Sequence, residues 1–188
     1  MEKKKYFLSL FLMLTVGALD AYCYMLHGGM FASMQTGNLI KIAIKLATGD
    51  YSGLYAYFLT IISFTLGILV AFFVMAKVKK GSHILIGSAY ALYIIGILIP
   101  LGNLNFLANL IMAFGVGLQL QAVRSINGFA VATTMCTGNL RSMTECIGNL
   151  IVKKDKHQAL GVLIYSTMII AFTLGVFLGG VIIRAVIF

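Results

Sequence analysis

Tryptophan is absent from this 188-residue chain, proline occurs once, and only five residues are acidic. With so little proline to interrupt them, long helices are the default conformation. Charged residues of both signs amount to 10% and hydrophobic residues to 61%, where a soluble domain carries about 25% charged residues. A water-facing surface cannot be built from that composition, so the chain reads as an integral membrane protein. Its apolar runs are near or above the roughly 20 residues that span a bilayer. Catalytic signatures are missing as well: there is no Ser nucleophile elbow, no His-Glu-x-x-His and no phosphate-binding loop. His27, His83 and His157 are the only histidines, and all lie near the ends of apolar segments. Cys23, Cys136 and Cys146 fall in apolar stretches without paired ligand spacing, which reads as small buried hydrophobes. Met25, Met30, Met34, Met135 and Met143 stand at no fixed spacing from these groups and read as core packing rather than a soft-metal site. The expectation is a protein that is not an enzyme and holds neither cofactor nor metal.

Fourteen basic residues against five acidic ones give a formal charge of +9. The basic residues cluster at segment ends, in Lys3-Lys4-Lys5, Lys77-Val78-Lys79-Lys80 and Lys153-Lys154-Asp155-Lys156. Loops beside an anionic membrane surface look like this, so the charge points to the lipid bilayer as partner and not to nucleic acid. The N-terminus has the outline of a signal peptide, three lysines and an apolar run ending in Gly17-Ala18-Leu19-Asp20-Ala21. The run continues to Met25 and carries Asp20, so it is read as a first membrane helix.

What is present in place of the missing signals is repetition. Met34-Gln35-Thr36-Gly37-Asn38-Leu39 returns as Met135-Cys136-Thr137-Gly138-Asn139-Leu140, and Phe64-Thr65-Leu66-Gly67 returns as Phe172-Thr173-Leu174-Gly175. Two matches in the same order predict one unit used twice. Seven hydrophobic segments are expected, at about 6–27, 29–48, 51–77, 82–101, 105–126, 128–151 and 157–187. The fold expected is all-α and polytopic: a single membrane domain over 1–188, with repeat one at 6–78, a linker helix at 82–101 and repeat two at 105–188. Segments 2 and 6 are the least hydrophobic and are expected to be interrupted at Thr-Gly-Asn, because glycine weakens a helix there. Aligning the two motifs sets Asp20 against Gln121 and Ala21 against Ala122. If all seven segments cross, with the N-terminus in the cytoplasm, the repeats are parallel and Lys77–Lys80 faces out. If segments 2 and 6 are re-entrant, the repeats are inverted and all three basic clusters are cytoplasmic. The lengths of the weak segments favour seven crossings, while the positive-inside rule favours the second plan.

The candidate site follows from polarity within the span. Thr36, Gly37 and Asn38 with Thr137, Gly138 and Asn139, joined by Gln121, are the expected solute-binding residues, since interrupted helices expose free backbone groups near the bilayer midplane. Asp20 is the one acidic residue of the first apolar run. A carboxylate there costs about 2.5–3.5 kcal/mol on insertion scales, so it is expected to be functional or paired. Arg124, one helical turn beyond Gln121, is its expected partner in a coupling ion pair. Arg141 and Glu145, four apart, are expected to pair within one helix. Lys41 and Lys45 read as a basic stripe reaching the headgroups or attracting an anion.

Gly17-Ala18-Leu19-Asp20-Ala21, Gly28-Gly29-x-Phe31, Met34-x-Thr36-Gly37-Asn38, Gly117-Leu118-Gln119-x-Gln121-Ala122 and Thr133-Thr134-x-x-Thr137-Gly138-Asn139 resemble the YoaK family over nearly the whole chain. The resemblance implies a bacterial multi-pass protein of the inner membrane and names no substrate. From the residues themselves the function expected is transport of a small polar solute through the paired motifs, with Asp20 as the group available for proton coupling. The rivals are a channel using the motifs as a filter and a non-transporting membrane scaffold or sensor. Homo-oligomers are compatible with either.

Overall fold

The computed structural model describes residues 2–102 and 104–187; Phe188, the last residue of the expected second repeat, lies outside them. Among the described residues there are seven α-helices: α1 (Lys3–Leu26), α2 (Gln35–Thr48), α3 (Leu54–Lys77), α4 (Gly81–Leu98), α5 (Asn105–Ala122), α6 (Cys136–Val152) and α7 (Gln158–Ile187). A two-residue hairpin, β1 (Ser125–Ile126) with β2 (Phe129–Ala130), separates α5 from α6. Its Asn127-Gly128 turn has positive φ at both residues, 51° and 85°, the sequence that a tight hairpin with matching twist demands. Five helices, α1, α3, α4, α5 and α7, are long and apolar enough to cross a membrane. Large apolar side chains such as Phe7, Phe72, Phe177 and Ile182 cover their outer faces. That pattern suits lipid rather than water as the surrounding solvent.

The direction of each helix follows from its contacts. At one end of the bundle His27 Nδ1 meets Asn105 O at 2.8 Å, Asn105 Nδ2 donates to Leu26 O at 3.0 Å, and Tyr57 donates to Gly28 O at 3.0 Å. The end of α1 and the starts of α3 and α5 therefore share that end. At the other end Glu2 N donates to Asn127 Oδ1 at 2.8 Å, Tyr6 donates to Thr167 Oγ1 at 3.0 Å, and Tyr165 donates to Ala130 O at 2.7 Å. The starts of α1 and α7 lie there with the hairpin that follows α5. The link from α1 to α3 thus leaves and returns at one end, and the link from α5 to α7 leaves and returns at the other. Neither α2 nor α6 passes from end to end. This corrects the expectation that segments 29–48 and 128–151 cross. Residues 29–34 and 128–135 are spent on the hairpin and irregular backbone, which leaves helices of 14 and 17 residues, about 21 and 26 Å long. The helices are also not broken at Thr-Gly-Asn. Each begins at the residue before it, so the motif is the opening turn.

Two helix pairs make the closest contacts. A Cβ added to Gly17 would collide with Phe172 O, and one on Gly175 would collide with Leu14 O. On α3 and α5 a Cβ on Gly67 would collide with Phe114 O, and one on Gly117 with Phe64 O. In both pairs each glycine faces the carbonyl three residues before its partner glycine. Small residues let backbones touch in lipid, where dispersion rather than the hydrophobic effect holds helices together. The contacts match Gly17 with Gly117, one residue away from the register set by the motifs.

Asp50, in the loop after α2, is drawn down to about 2 by a 2.5 Å hydrogen bond from Lys45, aided by Ser52. A depressed carboxyl stabilises the fold above its ordinary value of 3.8, and this contribution is lost as pH falls through about 2.

The close contacts predict that Gly17→Leu and Gly117→Leu each lower stability by about 1–3 kcal/mol through overpacking, read as a lower thermal midpoint in detergent. Gly87→Ala, where an added Cβ meets nothing within 4 Å, is expected to leave the midpoint unchanged or slightly raised.

Candidate functional site

The two motifs, remote in sequence, line one cavity of about 240 Å³. Ser33, Thr36 and Gly37 border it from one side, and Thr134, Thr137 and Gly138 from the other. Phe172, halfway along α7, closes it, with Met34 and Met135 as further apolar wall. No acidic or basic side chain lines it.

Two turns bring the chain here. After α1, Gly28 and Gly29 take positive φ values of 69° and 73°, a conformation that costs glycine little. They fold the chain back along α1, so that Ala32 and Ser33 are buried. Lys41 donates to Gly29 O and lies 4.5 Å and 4.7 Å from the ring centres of Tyr24 and Phe31. It is a pin for this turn and not part of an open basic stripe. On the other side the hairpin does the same work, and Phe129 stacks on His157 at 5.1 Å.

The asparagines are not offered to a solute. Asn38 Nδ2 donates to Phe31 O at 2.8 Å and its Oδ1 accepts from Phe31 N at 3.0 Å. Asn139 Nδ2 donates to Ala132 O at 2.8 Å and its Oδ1 accepts from Ala132 N at 3.2 Å. Each amide thus grips the main chain seven residues earlier as a strand would, and both asparagines are buried. This makes them clamps that hold the descending strand against its own helix. The threonines and glycines of the motifs are left facing the cavity.

Asp20 is 2% exposed and accepts from Ser33 N at 2.9 Å and from Ser33 Oγ. It does not pair with Arg124. Arg124 is exposed at the far end of the bundle, in a basic recess with Lys4, Lys5 and His83. The ion pairs among the described residues are Lys5–Glu2, Lys45–Asp50 and Arg141–Glu145. The last, at 2.9 Å, is the expected one-turn pair. Arg124 does not stand one helical turn beyond Gln121, because α5 ends at Ala122 and the chain is extended at Val123, and Asp20 lies close to the opposite end of α1. Gln121 does not line the cavity.

Gln119, which the sequence did not single out as a site residue, reaches inward instead. It accepts from Tyr93 at 3.1 Å and donates to Leu12 O and Thr133 O at 3.3 Å each. The signal available was Gln119 itself, a fully buried amide among apolar residues two positions before Gln121. The hydroxyls of Thr133 and Thr134 are buried and lack a partner among the described residues. Buried hydroxyls left unpaired cost about 1–3 kcal/mol each, so they mark a place where something else can bind.

Asn38→Leu and Asn139→Leu remove the clamps and leave main-chain groups unsatisfied. Each is expected to cost about 2–4 kcal/mol, from two lost bonds at about 1–3 kcal/mol per stranded buried group. The check is the thermal midpoint of purified protein in detergent.

Comparison with known proteins agrees with a membrane location. The family described as "Protein of unknown function (DUF1275)" matches residues 8–188. A curated relative, the UPF0700 transmembrane protein YoaK of Bacillus subtilis (strain 168), is 25% identical over 162 residues, covering 79% of this chain and 70% of that protein. No solved structure matches. The five apolar helices and the transmembrane relative together mark a multi-pass membrane protein in contact with lipid. The chain belongs to the DUF1275 family, that of the transmembrane protein YoaK, whose function is unknown.

Proposed function

We propose that this membrane protein is a transporter of a small polar solute, built from two inverted repeats that each carry one re-entrant helix. The observation that carries the reading is the shared cavity: two copies of one motif border a single space beside the middle of α7, its largely apolar wall carrying a few hydroxyl and main-chain groups. A half-length helix whose first turn points into the membrane interior is a recurring way to present free backbone groups to a solute. In this reading repeat one is α1–α3, α4 is the linker, and repeat two is α5–α7. The matched glycine contacts and the matched asparagine clamps support the pairing of halves. The site residues are Thr36 and Gly37 with Thr137 and Gly138, while Asn38 and Asn139 position them. Asp20, behind the cavity wall and held by Ser33, which borders the cavity, is the coupling group if a proton accompanies the solute.

Orientation follows from charge. Lys3–Lys5, Lys77–Lys80 and Lys153–Lys156 all fall at the end where α1 and α7 begin. The positive-inside rule puts that end in the cytoplasm, in the inner membrane that the family resemblance implies.

Two measurements test this. In a variant freed of Cys23, Cys136 and Cys146, cysteines at Lys79 and Asp155 should label from the cytoplasmic side and one at Asp50 from the outside. Labelling of Lys79 and Asp155 from opposite sides contradicts the re-entrant plan. In proteoliposomes, flux should saturate with solute and fall at least fivefold in Thr36→Val and Thr137→Val. Flux that rises linearly with concentration means a channel. Stable variants with no flux in any form of the protein mean a scaffold.

A further inference from the structure

We infer that the solute held between the two motifs is a small monovalent anion. The inference rests on the transporter reading and names the chemistry of its site. Both helices that open on the cavity do so without a cap. Met34 and Met135 occupy the N-cap positions, and neither helix has a side-chain hydrogen bond to its first turn. Among the described residues, the N–H groups of Thr36, Gly37, Thr137 and Gly138 have no main-chain partner. Unsatisfied first-turn donors need a partner when they lie away from water.

Two such termini face one space. Each helix terminus presents the equivalent of roughly half a positive charge, so two of them give about one unit with no carboxylate in the lining. Thr134 adds an independent mark. It is 1% exposed, borders the cavity, and its hydroxyl has no partner. The space is therefore bordered by main-chain donors and hydroxyls, with Gln35, whose amide oxygen already accepts from Asn38, and with no carboxylate.

Size narrows the ligand. A cavity of about 240 Å³ holds on the order of eight water volumes at about 30 Å³ each. An anion of a few heavy atoms, such as nitrate or formate, fits with its residual water, and a nucleotide does not. The apolar walls from Met34, Met135 and Phe172 suit a weakly hydrated, singly charged ion better than a multiply charged one. Asp20 does not oppose this, because it lies behind Ser33, whose N–H and hydroxyl both point to it.

The test is a thermal-shift titration of the full-length protein in detergent with sodium nitrate and sodium formate. Sodium gluconate controls for cation and ionic strength, and urea and glycerol serve as neutral polar probes. Saturable stabilisation by nitrate or formate is expected. It should weaken at least tenfold in Thr134→Val, which keeps the shape and removes the hydroxyl. It should weaken similarly in Gly138→Pro, which removes one N–H from the first turn of α6, and Gly148→Ala, away from the cavity and with nothing within 4 Å of an added Cβ, should bind as the parent does. Asp20→Asn should bind the anion as tightly or more tightly. Stabilisation by urea or glycerol with none by the anions, lost in the same variants, overturns the anion and keeps the transporter site. Stabilisation by sodium gluconate that Asp20→Asn abolishes also overturns it, in favour of a cation. Nitrate or formate binding untouched by every motif variant overturns both the anion assignment and the site.

Discussion

A main chain inside a membrane has no water to complete its hydrogen bonds, and the rest of this structure follows from how two irregular segments meet that demand. Residues 29–34 and 131–135 run through the bundle without regular structure, beside helices that satisfy themselves. Asn38 and Asn139 supply what a neighbouring strand would supply, one acceptor and one donor to the residue seven positions earlier. Ser33, bound to Asp20, secures the first segment a second time. Once these segments are held, α2 and α6 must start deep in the bundle, and their opening turns must face one another.

The cavity is then a by-product of two demands that pull in opposite directions. Helices in lipid gain from close approach, and Gly17, Gly67, Gly117 and Gly175 bring α1 to α7 and α3 to α5 as near as backbones can come. The half-length helices cannot pack that way at their starts, because each carries uncapped N–H groups that need polar neighbours. The fold leaves a small space there, bordered by hydroxyls and main-chain donors. Packing elsewhere is tight enough that Leu12, Met13, Met112, Ile164 and Met168 are fully buried. A transporter needs that contrast: a rigid frame around a polar point that can be occupied or empty.

Much of this was legible in the sequence. Composition identified the membrane, and the doubled Thr-Gly-Asn pointed to the two segments that border one cavity. The i,i+4 spacing of Arg141 and Glu145 gave their pair. What was not legible came from distances that sequence spacing does not carry. A segment of 20 residues that must spend its first six on a return has too few left to cross, and nothing in the hydropathy of 29–48 reveals the return. The Asp20–Arg124 pairing failed because Asp20 lies near the end of α1 that meets Asn105, whereas Arg124 follows the last residue of α5 at the other end of the bundle. The amides of Asn38 and Asn139 looked available because their partners are main-chain atoms, which every residue has. Gln119, two positions before Gln121, is the amide that fills the core, and Gln121 does not line the cavity.

The central claim is that the two motifs meet. It is tested most directly by joining them. In a background without Cys23, Cys136 and Cys146, Thr36→Cys with Thr137→Cys should be bridged by a short bifunctional thiol reagent, read as an intramolecular mass increase of one linker. Thr36→Cys with Ile151→Cys, near the C-terminal end of α6, should only gain separate adducts. Separate adducts on both members of the first pair, with no bridge, would contradict the account.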